Sequence, residues 1–391
     1  MGIENTKKAK EEQQYDSYWK LTVEYSDIHG TLFNNVLDLI VKFIDNHRLT
    51  SVDCTAALNK KLQDIINKIN PKEDMGSVRK SINQFIKLGF VNPGYKGYHP
   101  LTKKFLACKD KKERELIFTQ IFYECGSLNS SYTNDCTDHK EVNFLLKTLA
   151  YNGQLTKNDL MGLMVTDVAK YKRGYLLPEE LELQYQYALS INFDENKYNQ
   201  IEYLIGFLKY MPELVYENGV LEFEDHKSVV AGTDVVSINR DPILMRIYRK
   251  LLFEESMSVY DRLICYACHL PWKGLVASHI KPLATCIKQQ KMQEAYDKNN
   301  GLLLSPNIDA YFDKFDITFD NDGSIILGKN VPQEIRDIIK DYQIDKDVLN
   351  DERRKYLQYH RNIFDAKKYS LQGTTQGRYL TGGVPPVRFS M

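Results

Sequence analysis

Between residues 265 and 319 the chain reads CYACHLPWKGLVASHIKPLATCIKQQKMQEAYDKNNGLLLSPNIDAYFDKFDITF, and this stretch constrains the fold more than any other. His279 lies in the short apolar run LVASHI, whose length and β-branched content suit a strand. Asn300 opens NGLLL, and Asp309 follows nine positions later in PNIDAYFDKF, a segment able to form a helix. A histidine on a strand, an irregular loop, then a carboxylate on a packed helix is an order that local packing can fix within a few dozen residues. Taken singly, each residue has a structural reading: a core histidine, an Asn-Gly turn, or an aspartate in the first turn of a helix.

Together, ASHIKP, NGLLL, the nine-residue step and IDAYFDKFDITFDNDG resemble the HNH nucleases, and within them the branch found in restriction and defence endonucleases. The resemblance implies a ββα-metal finger. It implies that His279 is the general base that takes a proton from the attacking water. It assigns Asn300 to bracing the finger and orienting that histidine, and Asp309 to holding one divalent cation, Mg²⁺ or Mn²⁺, beside the scissile phosphate. Oxygen ligands suit either ion. Many relatives carry a metal ligand just before the base, where this chain has Ser278. Asp313, four residues after Asp309 and on the same helical face, is the candidate second ligand. Lys281 is a candidate phosphate contact, with a solvated lysine as the plainer reading. Near the C-terminus, NDERRKYLQYHRNIFD resembles the ending of this branch, making Arg354, His360 and Arg361 candidates to line the DNA.

Net charge is zero, with 52 basic and 52 acidic side chains, yet the charges are segregated. From Arg79 to Lys112 there are nine Lys or Arg residues and one acid, Asp110, while from Tyr175 to Lys227 eleven acids face three bases. A basic stretch is the electrostatic footprint of phosphate binding. Upstream, NNVLDLIVKFIDNH and AALNKKLQDIINKI carry helical apolar spacing. GSVRKSINQFIKLGFV reads as a third helix, with Ser77 as N-cap, Val78, Ile82, Phe85 and Ile86 as its stripe, and Gly89 as its stop. The turn-rich GFVNPGYKGYHPLT completes a winged-helix-like pattern. Its third helix would present Arg79, Lys80, Asn83, Gln84 and Lys87 to duplex DNA, with Lys96 on the hairpin.

Residues 142–235 suggest a second, weaker unit of the same kind: two helices across a turn at Asn152 and Gly153, Thr156 as N-cap, a further helix, and a hairpin turning at Asn218 and Gly219. Its acidity points to packing or dimerisation instead of phosphate contact. Glu213, Asp225 and Lys227 loosely match the PD-(D/E)xK arrangement and form a competing candidate site. Cys265 and Cys268 make one CxxC, but no second pair follows, so two packed thiols are preferred over structural Zn²⁺. Seven cysteines, an odd count without a signal peptide, suit a reducing cytoplasm. No apolar run approaches the ~20 residues that span a bilayer.

The chain of 391 residues is long enough for two or three domains. The expected fold class is α+β: a flexible N-terminus (1–15), a winged-helix-like, mostly helical DNA-binding domain (16–140), a second helical domain (141–240), a C-terminal ββα-metal HNH nuclease domain (241–370), and a flexible tail (371–391). The expected function is a restriction endonuclease that hydrolyses duplex DNA, as a homodimer at least during cleavage. One alternative is a modification-dependent endonuclease, which a pocket with facing aromatics for an extruded base would favour. Another is a winged-helix regulator with an inactive finger.

Overall fold

The computed structural model describes residues 18–21, 23–197, 199–224 and 241–373. The expected flexible N-terminus and most of the expected tail lie outside these. Among the described residues the architecture is α+β, with many helices and three small antiparallel sheets. Two compact units divide the chain at residues 247 and 248. The helices on either side of residue 140 therefore belong to one unit. Among the described residues no helix is long and apolar enough to cross a membrane.

In the first unit, α1 (Thr31–Asn46), α2 (Ala56–Ile69) and α3 (Met75–Lys87) follow the apolar spacing of the sequence. Each buries the residues expected of it, including Val36, Leu37, Ile40, Val41 and Ile44 on α1. α3 begins one turn earlier than Ser77: Asp74 is the N-cap, and its carboxylate accepts from the Ser77 N–H at 2.9 Å. Gly89 ends the helix at φ +84°, a left-handed conformation that glycine adopts without penalty. The following segment forms a 3-10 turn at Pro93–Tyr95 closed by a single bridge between Val91 and Tyr98, in place of a long hairpin. α4 (Thr102–Ala107) and α5 (Lys111–Cys125) pack Phe105 and Phe118 around Phe90, alongside Phe33 and Phe85.

α6 (Glu141–Asn152) leads to β1 (Gln154–Thr156) and α7 (Lys157–Met164), which starts with a capping box between Thr156 and Asp159. α8 (Pro178–Ser190), α9 (Phe193–Asn196) and α10 (Asn199–Leu208) precede the hairpin of β2 (Leu214–Glu217) and β3 (Val220–Phe223). Asn218 and Gly219 both take positive φ (52° and 79°), as a tight two-residue hairpin requires. The sheet order is β1-β3-β2, with Leu155 opposite Leu221.

The second unit begins within α11 (Pro242–Tyr260). β4 (Val276–His279) pairs antiparallel with β5 (Gly301–Leu304), placing His279 opposite Gly301 and Ser278 opposite Leu302. Between them come α12 (Leu283–Lys288) and α13 (Met292–Ala295). After β5 come α14 (Pro306–Phe312), the hairpin β6 (Ile317–Phe319) and β7 (Ile325–Leu327), α15 (Gln333–Ile339) and α16 (Asp351–Gly373). Arg353 of α16 is fully buried, ion-paired with Glu255 at 2.8 Å, and donates to the Lys298 carbonyl at 3.0 Å. That pair fastens the approach to β5. Removing one partner of such a buried pair costs about 3–5 kcal/mol.

Candidate active site

Ser278 and His279 are adjacent at the end of β4. The buried Ser278 hydroxyl hydrogen-bonds the carboxylate of Asp309, in the first turn of α14. The half-buried His279 lies flat on the ring of Tyr248, centroids 4.4 Å apart and planes at 14°. Its Nε2 is 2.9 Å from the Ala295 carbonyl oxygen. A carbonyl can only accept, so Nε2 carries the proton and the basic lone pair of the neutral ring is at Nδ1.

The position of Ala295 is itself fixed. The Asn300 amide donates to the Glu294 carbonyl at 2.8 Å and the Lys281 carbonyl at 3.0 Å, and its oxygen accepts from the Lys281 N–H at 2.7 Å. Asn300 is completely buried, and these bonds tie the end of β4 to α13. It thus braces the loop whose next carbonyl holds His279. Lys281 adds a second tie. Its ammonium is buried and donates to Glu294 at 2.5 Å and Gln289 at 2.8 Å, over the face of Tyr359. The reading of Lys281 as a solvated or phosphate-contacting lysine is therefore corrected: its charge is spent inside the finger.

Tyr248 was not legible as a site residue. Its hydroxyl lies 3.2 Å from the Ser278 carbonyl and 3.1 Å from that of Asn300, bridging the strand ends while its ring supports the imidazole. Gly301 makes room for it, since a Cβ there would fall 2.4 Å from the Tyr248 hydroxyl oxygen. The sequence signal was only an apolar stripe on a helix upstream of the finger, plus a glycine.

Asp309 is half-buried and Asp313 exposed at the end of the same helix, four residues on. Burial raises the Asp309 carboxyl above its ordinary range. The Ser278 hydrogen bond pulls the other way, and the neighbouring charge of Asp313 raises it further. Among the described residues no group of three or more His, Cys, Asp or Glu is placed to hold a metal ion. The donor set still suits a hard cation, because Mg²⁺ is commonly held by one or two carboxylates, with water and substrate phosphate completing its shell. Two like charges with one partly desolvated is also the arrangement a cation relieves.

The other flagged side chains divide. Arg79 and Lys80 are exposed on α3, and Lys96 is exposed beside Asp53 at 3.3 Å. Asn83 accepts from the Tyr132 N–H at 3.0 Å. Gln84 and Lys87 are corrected from groove-facing to buried. The Gln84 oxygen accepts from the N–H groups of Glu24 and Tyr25, and Lys87 donates to the Leu128 carbonyl at 2.5 Å. Burial pulls the Lys87 ammonium down to about 8, with the nearby Glu141 carboxylate opposing. Arg361 is likewise corrected, since it is buried and donates to the Phe319 carbonyl and the Asn321 side chain. His360 is in the core, and Arg354 donates to the Asn321 carbonyl and pairs with Asp351. Of the competing PD-(D/E)xK set, Glu213 pairs with Arg246 at 3.4 Å, and Asp225 and Lys227 lie outside the described residues. Cys265 is buried and Cys268 half-buried, both as free thiols.

Comparison with known families gives one result for this region. A model of the HNH endonuclease family matches residues 265–320, a span that contains His279, Asn300, Asp309 and Asp313. No curated protein matches the chain. Residues 265–320 are therefore similar to an HNH endonuclease domain, which supports a nuclease activity for this part of the chain.

Proposed function

We propose that this protein is a restriction-type endonuclease that cuts duplex DNA with His279 as general base and a divalent cation, Mg²⁺ or Mn²⁺, held by Asp309 and Asp313. The observations that support the reading are the HNH match over residues 265–320 and the Ala295 carbonyl that holds His279 Nε2 and so fixes the ring's orientation. Water approaching the phosphodiester delivers its proton to the imidazole, a step typically worth ~10²–10⁴-fold. The resulting imidazolium sits on the face of Tyr248, whose ring quadrupole favours the cation. Asn300 and the Lys281–Glu294 pair keep the imidazole from turning as its charge changes. A bound cation would supply Lewis-acid stabilisation of the phosphoryl and departing oxygens. The exposed Arg79, Lys80 and Lys96 in the basic stretch are the proposed backbone contacts to DNA, in a winged-helix-like region. Cutting both strands calls for two fingers, so a homodimer is proposed during cleavage.

Supercoiled plasmid incubated with Mg²⁺ tests the proposal. Discrete fragments from the native protein, none from His279→Ala, and loss of cutting on chelation are expected. Equal cutting by the variant would remove His279 from the mechanism. No cutting in Mg²⁺ or Mn²⁺ would favour a DNA-binding regulator.

A further inference from the structure

We propose that a cavity in the first unit is a binding site for a single nucleobase, an inference that rests on the DNA-cleaving reading. The cavity, about 450 Å³, lies where Tyr18 and Trp19 meet the start of α6, the turn after α7, and α8. Its volume falls in the ~300–1,000 Å³ range of small-ligand sites. Three tyrosines line it (Tyr18, Tyr171 and Tyr187), together with the amides Asn129 and Gln184 and the carboxyl group of Glu141.

Glu141 supplies the most pointed observation. It is 1% exposed, one of its oxygens accepts from the Leu128 N–H at 3.0 Å, and the other has no hydrogen-bond partner. Buried polar atoms are nearly always satisfied, and the exceptions call for an explanation. A ligand bearing N–H groups on a flat ring edge provides one. Burial also lifts the Glu141 carboxyl above its usual range, so the wall can present either an acceptor or a proton.

Charge narrows the ligand further. The wall carries acids and bases together, Glu141 and Asp167 with His139 and Lys170, and Lys170 neutralises Asp167 at 3.7 Å, while Lys140 and Lys172, each next to a lining residue, are exposed. A neutral aromatic heterocycle inside with its phosphate held outside fits that division. Tyrosine faces suit base stacking, which tolerates any base. The base could arrive extruded from a strand or as a free nucleotide, and both sources share this chemistry.

The chain has two tryptophans, Trp19 on the cavity wall and Trp272 elsewhere, so Trp272→Phe leaves Trp19 as sole reporter. That protein is titrated with each of the four deoxynucleoside monophosphates. It is then titrated with a matched duplex and the same duplex carrying one mismatch, whose base costs less to extrude. A saturable change in Trp19 emission is expected with at least one nucleotide, and with the mismatched duplex at lower concentration than the matched one. Tyr187→Ala, an exposed position, should weaken both responses by about tenfold at unchanged melting temperature. Glu141→Gln keeps an acceptor for Leu128 and should reorder the preference among nucleotides. A response to free nucleotides alone, while anisotropy shows duplex bound, would assign the site to free nucleotides. Silence of Trp19 with every probe, while duplex binds and plasmid is cut, would overturn the cavity proposal and leave the nuclease intact. Absence of both duplex binding and cutting would overturn the nuclease reading instead.

Discussion

Two histidines of the second unit lie face to face with an aromatic ring, His279 on Tyr248 and His360 on Phe312, in different surroundings. Both have Nε2 at a backbone carbonyl, of Ala295 in one case and of Phe312 in the other. In His360 the second nitrogen meets the Thr318 hydroxyl at 2.9 Å, and the ring is in the core. Burial pulls its pKa down to about 4, with the Phe312 carbonyl opposing. His279 stands half-buried at a strand end, next to the residue that hydrogen-bonds Asp309. Stacking and a carbonyl anchor set the tautomer in both. Burial separates them: the candidate base is half-buried at a strand end, the packing residue enclosed in the core.

The largest expected effect separates the two directly. His279→Ala should lower the initial rate of plasmid cutting by ~10²–10⁴-fold with the melting temperature nearly unchanged. His360→Ala should do the reverse, costing about 2–4 kcal/mol in denaturant unfolding while the folded fraction keeps cutting. If both variants lose only stability, the distinction fails.

The pH dependence of stability follows next. His360 titrates near 6.5 when unfolded and near 4 when folded, so below 6.5 the unfolded chain binds the extra proton. Its contribution is complete above pH 6.5 and is lost as the pH falls toward 4, by about 3 kcal/mol. Urea melts across that window should show the slope, and His360→Gln should flatten it.

Tyr248→Phe keeps the ring under His279 but removes the hydroxyl between two carbonyls. A loss of about 1–2 kcal/mol in stability and a few-fold slower cutting are expected. Tyr248→Ala should slow cutting more at comparable expression. Equal rates for the two would mean that the ring contributes nothing.

The smallest effect concerns Ser278→Ala. The Ser278 bond favours the charged form of Asp309, so its removal should raise that carboxyl further and move the acid limb of the rate profile to higher pH. A limb that stays in place would mean that the hydroxyl does not act through Asp309.

The candidate site was more legible than the DNA-binding surface, for a physical reason. In residues 276–312, spacing along the chain fixes spacing in space: β4, β5 and α14 are near neighbours in sequence, so His279, Asn300 and Asp309 fall on the strand, the strand approach and the helix expected of them. On α3, the apolar stripe correctly gave the core residues Val78, Ile82, Phe85 and Ile86. It could not show that Gln84 and Lys87 flank that stripe and find distant partners, at Tyr25 and Leu128. Buried polar side chains with long-range partners leave no periodic trace. Tyr248 escaped for the same reason, as did β1, whose three residues pair with a strand some sixty positions later.

The most direct measurement is the ¹⁵N shift pattern of the His279 imidazole at neutral pH, assigned by comparison with His279→Ala. Protonated Nε2 with an unprotonated Nδ1 is the expected result, with the minor tautomer emerging when Asn300→Ala loosens α13. A ring protonated at Nδ1 in the native protein would leave no base facing the substrate and would contradict the account.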